Sequence, residues 1–189
     1  MFLICLARLK EGARIGYSGP CSSRVSPNLI SATQHPEVYT WSGRVAWPYL
    51  SPPLPNFQCH PMGVVLKKHS TEYRTIYHHL SYPPGDSKND HISKDPFSLS
   101  YVWVDDAIHI LHSLGKGAFM AKTDCKSAFC LIPIHPNNWS LLGIYWQSQY
   151  YVDMYLPFGV QFGPFLFNLL SDGLEWIHIT TVSSMLSIF

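Results

Sequence analysis

Apolar and polar positions fall into readable registers only from Met62 onward. Met62 to Leu66 is a short apolar run ending in Lys67-Lys68. His69-Ser70-Thr71-Glu72 has turn chemistry, and Tyr73 to His78 returns with Arg74 in it. Two such runs joined by a polar link predict a β-hairpin with basic residues at its mouth. Ser81 to Pro96, rich in Pro, Gly, Asp and Asn, reads as loop. A helix is predicted to begin at Val104-Asp105-Asp106, where two first-turn carboxylates favour the macrodipole, and to end at Gly115. Phe119 to Thr123 predicts a buried strand that delivers Asp124 to its end. Leu141 to Trp146 and Gln149 to Met154 predict a second hairpin turning at Gln147-Ser148. Phe162 to Ile177 predicts a helix with Phe165, Leu169 and Trp176 on or near one face.

Upstream of Met62 no period is sustained. Gly16-Tyr17-Ser18-Gly19-Pro20 and Ser51-Pro52-Pro53-Leu54-Pro55-Asn56 are loop chemistry, relieved by one short helix near 28–34. Residues 1–61 are therefore expected to be poorly ordered. The opening Met1-Phe2-Leu3-Ile4-Cys5-Leu6-Ala7 lacks a basic leader, and Arg8, Lys10 and Glu11 cut it short, so it does not read as a signal peptide. No stretch approaches the roughly 20 apolar residues that span a bilayer, and there is no internal repeat.

A length of 189 residues suits one domain, and 47% hydrophobic with 14% aromatic residues supplies a core. Charged residues, at 13%, lie below the usual share, and the net charge of +1 provides no global basic field. Contact with nucleic acid must then come from local Lys/Arg clusters. The five cysteines (Cys5, Cys21, Cys59, Cys125 and Cys130) are odd in number and contain no C-x-x-C pair. That argues against a disulfide framework and for a reducing intracellular setting. Ten histidines, among them His78-His79 and the pair Cys59-His60, match no zinc spacing.

Asp124 is the first candidate for chemistry. Phosphoryl transfer by two metals needs carboxylates that hold Mg²⁺ ions about 3.5–4 Å apart, and an acid at a strand end can face a cleft. Taken alone, Asp124 reads more simply as a cap on the turn at Lys126-Ser127, and a lone Phe129 is more commonly a core aromatic. Lys67 and Arg74 lie seven apart across a turn. They could grip phosphate, Arg through bidentate charge-assisted bonds and Lys as a point charge, or could form a solvated hairpin tip. Leu156-Pro157-Phe158-Gly159 before a helix could be a stacking platform or an ordinary strand-to-helix turn.

Ordered strings along the chain resemble reverse transcriptases, and most of all those of DIRS-like, tyrosine-recombinase retrotransposons. They are Ile15-Gly16-Tyr17-Ser18-Gly19-Pro20, Pro55-Asn56-Phe57-Gln58, Asn89-Asp90-His91-Ile92-Ser93, Ala121-Lys122-Thr123-Asp124, Ser127-Ala128-Phe129, Leu131-Ile132-Pro133-Ile134-His135-Pro136, Leu156-Pro157-Phe158-Gly159 and Leu174-Glu175-Trp176-Ile177. The resemblance implies that Asp124 is a catalytic Mg²⁺ ligand, completed by the backbone carbonyl of Cys125. It implies that Phe129 is the steric gate against a ribose 2′-OH, and that Lys67 and Arg74 hold the triphosphate of dNTP. Phe158 and Gly159 would lie against the nascent base pair. An RNA template and a DNA primer are the implied partners. Val104-Asp105-Asp106 looks like the catalytic Asp-Asp of polymerases but precedes Asp124, so it reads as helix N-terminal chemistry.

The implied fold class is α+β: polymerase right-hand fingers plus a partial ferredoxin-like palm. Residues 62–117 would be the fingers-like region, 118–177 the partial palm and 178–189 a divergent tail. The tail contains no acid, so the family's downstream aspartate pair is missing. Cys130 replaces a usual basic residue, Val160-Gln161-Phe162-Gly163 departs from a small-residue pattern, and the stretch from His35 to Trp47 is short. One carboxylate cannot hold two Mg²⁺ ions. The expectation is therefore a truncated reverse transcriptase fragment, polymerase by ancestry and inactive alone. The alternative is a non-catalytic single-stranded nucleic-acid-binding remnant or a pseudogene product.

Overall fold

The computed structural model describes residues 9–34, 43–46, 48–76, 80–93, 99, 102–120 and 124–181, with backbone alone for 74–76. In chain order these residues form strand β1 (Arg24–Val25), helix α1 (Ile30–Gln34), strands β2 (Gln58–Cys59), β3 (Gly63–Leu66) and β4 (Tyr73–Ile76), and helix α2 (Val104–Leu114). Strands β5 (Gly143–Trp146) and β6 (Gln149–Val152) and helix α3 (Gly163–Thr181) follow. The architecture is α+β on a small mixed sheet of order β1-β2-β5-β6, with β3-β4 as a separate antiparallel pair. The parallel neighbours are β1 with β2 and β2 with β5, while β5 and β6 are antiparallel.

Both expected hairpins form. The β5–β6 link places Gln147 and Ser148 at φ +47° and +61°, the left-handed pair that matches strand twist in a two-residue hairpin. Alternation then sends Ile144, Trp146 and Tyr151 to one side, against Ala32, Met62 and Val64. Tyr145, Tyr150 and Val152 go to the other side, with Phe57 and Cys59. Sheet spacing also explains a glycine: a Cβ on Gly143 would lie 2.6 Å from the Phe57 ring and 2.7 Å from the Gln58 carbonyl oxygen.

The largest cluster joins Ala13, Ile15, Leu80, Ile92, Ile132, Ile134, Leu142, Leu156, Val160, Phe162 and Leu166. Its members come from the N-terminal arm, the loop after β4, the segment before β5 and the start of α3. Backbone bonds hold the arm: Ala13 N–H donates to Pro133 at 2.7 Å and His135 N–H to Ala13 at 3.0 Å. Tyr17 bridges Ile92, and Ser18 N–H donates to the His91 carbonyl.

Three expectations change, and one is met with a consequence. The segment 1–61, read as poorly ordered, supplies β1, β2 and the buried Ala13, Ile15, Phe57 and Cys59; its elements are too short for a period to show. The buried strand expected at 119–123 is absent from its described part: Phe119 and Met120 are 101% and 78% exposed. The outer edge of β6, where such a strand could pair, is met by Val45 and Tyr49 through the bridges Val45–Asp153 and Tyr49–Tyr150. Helix α3 is buried through Gly163, Leu166 and Gly173; of the expected face, Phe165 packs part-buried on the large cluster, whereas Trp176 is 49% exposed. The inward face is set by Leu166 and Leu170 against the large cluster, with Gly173 continuing it without a side chain. Finally, α2 spans Val104–Leu114 as expected and ends at Gly115, φ +81°, yet buries none of its residues.

Asp106 accepts the Trp103 backbone N–H at 2.8 Å, so this acid caps the start of α2. Among the described residues no helix is long and apolar enough to cross a membrane. The opening run 1–7, His78-His79, the string at 121–123 and the tail from 182 lie outside the described residues.

Candidate functional site

The turn from Leu156 to Gln161 connects β6 to α3 and has its own anchors. Leu156 is fully buried and its N–H donates to the Ile132 carbonyl at 2.9 Å. Gly159 adopts φ +98°, a conformation strained for any L side chain. Asn89, at the start of a 3₁₀ turn (Asn89–His91), clamps this turn from across the cluster. Its Nδ2 donates to the Gly159 carbonyl and to Ser81 Oγ, both at 2.8 Å, and its Oδ1 accepts the Gln161 N–H at 2.9 Å.

Phe129 reaches the same place from a second 3₁₀ turn, Ala128–Leu131, entered through Ser127 in the left-handed region at φ +56°. Its half-buried ring meets Phe158 edge-on at 5.1 Å and Phe167 of α3 edge-on at 5.8 Å. Such pairs favour edge-to-face geometry because the ring edge is positive and the face negative. Phe158 stays 49% exposed, leaving ring surface for a stacking partner. Three of the residues singled out from sequence, Phe129, Phe158 and Gly159, are thus gathered at one spot. Nearby Cys130 is half-buried; burial pushes its thiol up, Asp153 adds to this and Arg44 opposes it.

Asp124 and Cys125 are exposed, just before the turn at Lys126-Ser127. Residues 121–123, which would deliver Asp124 from a strand, lie outside the described residues. Lys67 and Arg74 lie on the β3–β4 hairpin, with Arg74 paired to Val65 across the ladder. Lys67 Nζ donates to Glu72 Oε2 at 2.5 Å. That hydrogen bond first, and the lysine charge second, hold the Glu72 carboxyl below its ordinary value. The hairpin packs through Val64 with Met62 and Ile144, whereas Phe129 packs on the cluster around Leu156 and Leu166.

Two-metal chemistry needs several carboxylates around one point. Among the described residues no three His, Cys, Asp or Glu side chains come close enough to hold a metal ion. Among the described residues Asp124 belongs to no such group. The Cys59-His60 pair has a structural use instead. Burial pushes the Cys59 thiol up to about 12. His60 Nε2 lies 2.8 Å from the Leu141 carbonyl; a carbonyl can only accept, so Nε2 carries the hydrogen.

Asn89, Ser81 and Gln161 carry the turn but were not singled out from sequence as site residues. Asn89 lies within a quoted string, yet its partners are distant in the chain. No protein-family model, curated protein or solved structure matches the chain.

Proposed function

We propose that the chain is a reverse transcriptase domain fragment of a DIRS-like retrotransposon, an RNA-directed DNA polymerase by ancestry. In this reading β3–β4 belongs to the fingers, and β5, β6 and α3 to a partial palm. The ordered strings from Ile15 to Ile177 support it. The observation that carries it is the edge-on contact of Phe129 with Phe158 at 5.1 Å, beside Gly159 clamped by Asn89. The likeness assigns these positions to the sugar and base of an incoming nucleotide, and the exposed ring surface of Phe158 suits base stacking.

The partners are an RNA template, a DNA primer and dNTP, with Lys67 and Arg74 toward the triphosphate. Mg²⁺ would come to Asp124 and the Cys125 carbonyl. With Asp124 as the single assigned carboxylate, the chain by itself binds strand and nucleotide without extending a primer. A labelled RNA–DNA primer-template provides the test. Binding that falls with salt and with Lys67→Ala or Phe158→Ala supports the reading; affinity indifferent to both substitutions removes it. Primer extension that survives Asp124→Asn would remove the role of Asp124.

The half-exposed Phe158 ring also favours a second reading, a single-stranded nucleic-acid-binding remnant without nucleotide recognition. Template-dependent dNTP binding separates the two, because only the polymerase reading requires it.

A further inference from the structure

Lys88 precedes the Asn89–His91 turn and is 6% exposed, which is rare for a lysine without a carboxylate partner. Its Nζ lies 4.1 Å over the Tyr17 ring and donates to Tyr17 Oη at 3.1 Å. That hydroxyl donates onward to the Pro20 carbonyl at 3.0 Å. Tyr17 Oη is the one hydrogen-bond acceptor that the described residues give this ammonium, so two of its three N–H groups have no protein partner among them. A buried charge left in this condition is costly unless it is paired.

Two further nitrogen donors lie in the surroundings. Arg24 at the start of β1 and His91, whose ring stands edge-on to Tyr17 at 5.7 Å, both face Asp86. Arg24 Nη1 lies 2.9 Å from Asp86 Oδ2, and His91 Nε2 lies 3.4 Å from Asp86 Oδ1. Burial first and the Arg24 charge second draw the Lys88 ammonium down to about 8, against the pull of Asp86 and Cys21. Asp86 therefore neutralises the cluster only in part. Its side chain is 60% exposed, and exposed ion pairs are weak enough to exchange.

We propose that Lys88, Arg24 and His91 form a binding site for a phosphate group, with Asp86 as an internal competitor for Arg24 and His91. Three nitrogen donors from two segments, Arg24 on β1 and Lys88 with His91 about the Asn89–His91 turn, suit a tetrahedral anion with several acceptor oxygens better than a planar carboxylate. The site shares the Asn89–His91 turn with the clamp on Gly159 but uses none of the clamp's side chains, and it does not depend on the polymerase reading. The phosphate can come from a free monoester or from a nucleic-acid backbone.

The test titrates the full chain with inorganic phosphate and, at equal ionic strength, with chloride, following melting temperature and calorimetric affinity. Phosphate is expected to raise the melting temperature beyond chloride. The gain should be lost in Lys88→Met and in Arg24→Gln, while Asp86→Asn should bind phosphate several-fold tighter. Arg24 and Asp86 are exposed, so their variants report even if Lys88→Met does not fold. A short oligothymidylate with and without a 5′-phosphate distinguishes the sources. Binding only with the 5′-phosphate identifies a monoester, and equal binding of both identifies the backbone. The proposal is overturned if phosphate and chloride act alike on the wild-type chain. It is equally overturned if Arg24→Gln leaves phosphate affinity unchanged or Asp86→Asn fails to tighten it.

Discussion

The side-chain amide of Asn89 donates to the Gly159 carbonyl at 2.8 Å across 70 positions of sequence. With its bonds to Ser81 and Gln161, it fixes both sides of the turn that carries Phe158. Replacing Asn89 with Ala leaves the Gln161 N–H and Gly159 carbonyl without this partner. The expected cost is about 1–3 kcal/mol, read from the urea midpoint. Asn89→Asp should keep the acceptor for Gln161 N–H but lose the donors, so it should weaken the turn without restoring wild-type stability.

Gly143 has a packing reason that conformation does not supply. A Cβ there would press on the Phe57 ring and on the Gln58 backbone oxygen, and the latter cannot swing aside. Gly143→Ala is therefore expected to destabilise by about 1–3 kcal/mol or more, as overpacked sites do. A urea midpoint equal to that of wild type would show that β2 and β5 can separate at no cost.

Two buried groups give opposing slopes in alkaline solution. Lys88 is held at about 8 against an ordinary 10.5, so from 8 to 10.5 the unfolded chain binds the extra proton and stability rises with pH. Cys59 is held at about 12 against 9.0, so from 9 upward the folded chain binds the extra proton and stability falls. Each slope is at most about 1.4 kcal/mol per pH unit. Stability should climb from pH 8 to 9 and then level off. Lys88→Met should abolish the climb, and Cys59→Ala should extend it toward 10.5; denaturant titrations across this range provide the check.

Phe158 and Phe129 should separate function from stability. Phe158 is half exposed, so Phe158→Ala is expected to cost little stability but about 1–3 kcal/mol of single-strand affinity, the worth of one stacked base. Phe129 touches both Phe158 and Phe167, so Phe129→Ala should lower the melting temperature as well. Equal melting losses in the two variants would contradict the exposure difference on which this rests.

Much of the local structure was legible in sequence. The two hairpins carry their own turn residues, and α2 carries its acids and its terminal glycine. What failed was non-local. Apolarity at Phe119 and Met120 suggested a strand, but a strand requires a free edge, and Val45 and Tyr49 already bridge to that of β6. On α3, Phe165 does pack on the large cluster, but the expected face was carried too far, to the exposed Trp176, while Gly173 is buried without displaying anything to read. β1 and β2, two residues each, exist only through partners far along the chain. Of the site, the aromatic and glycine positions were legible, and the amide that holds them was not.

The arm from Ala13 to Tyr17 owes its position to residues made much later. The Ile15 N–H donates to Asn138 Oδ1, 123 positions on, and Ala13 is held by Pro133 and His135. During synthesis the arm leaves the ribosome long before these partners exist, and the closing contact must then span most of the chain. A segment made 123 positions before its partner is thus among the last to settle, because Ile15 must wait for the Asn138 side chain that will hold it.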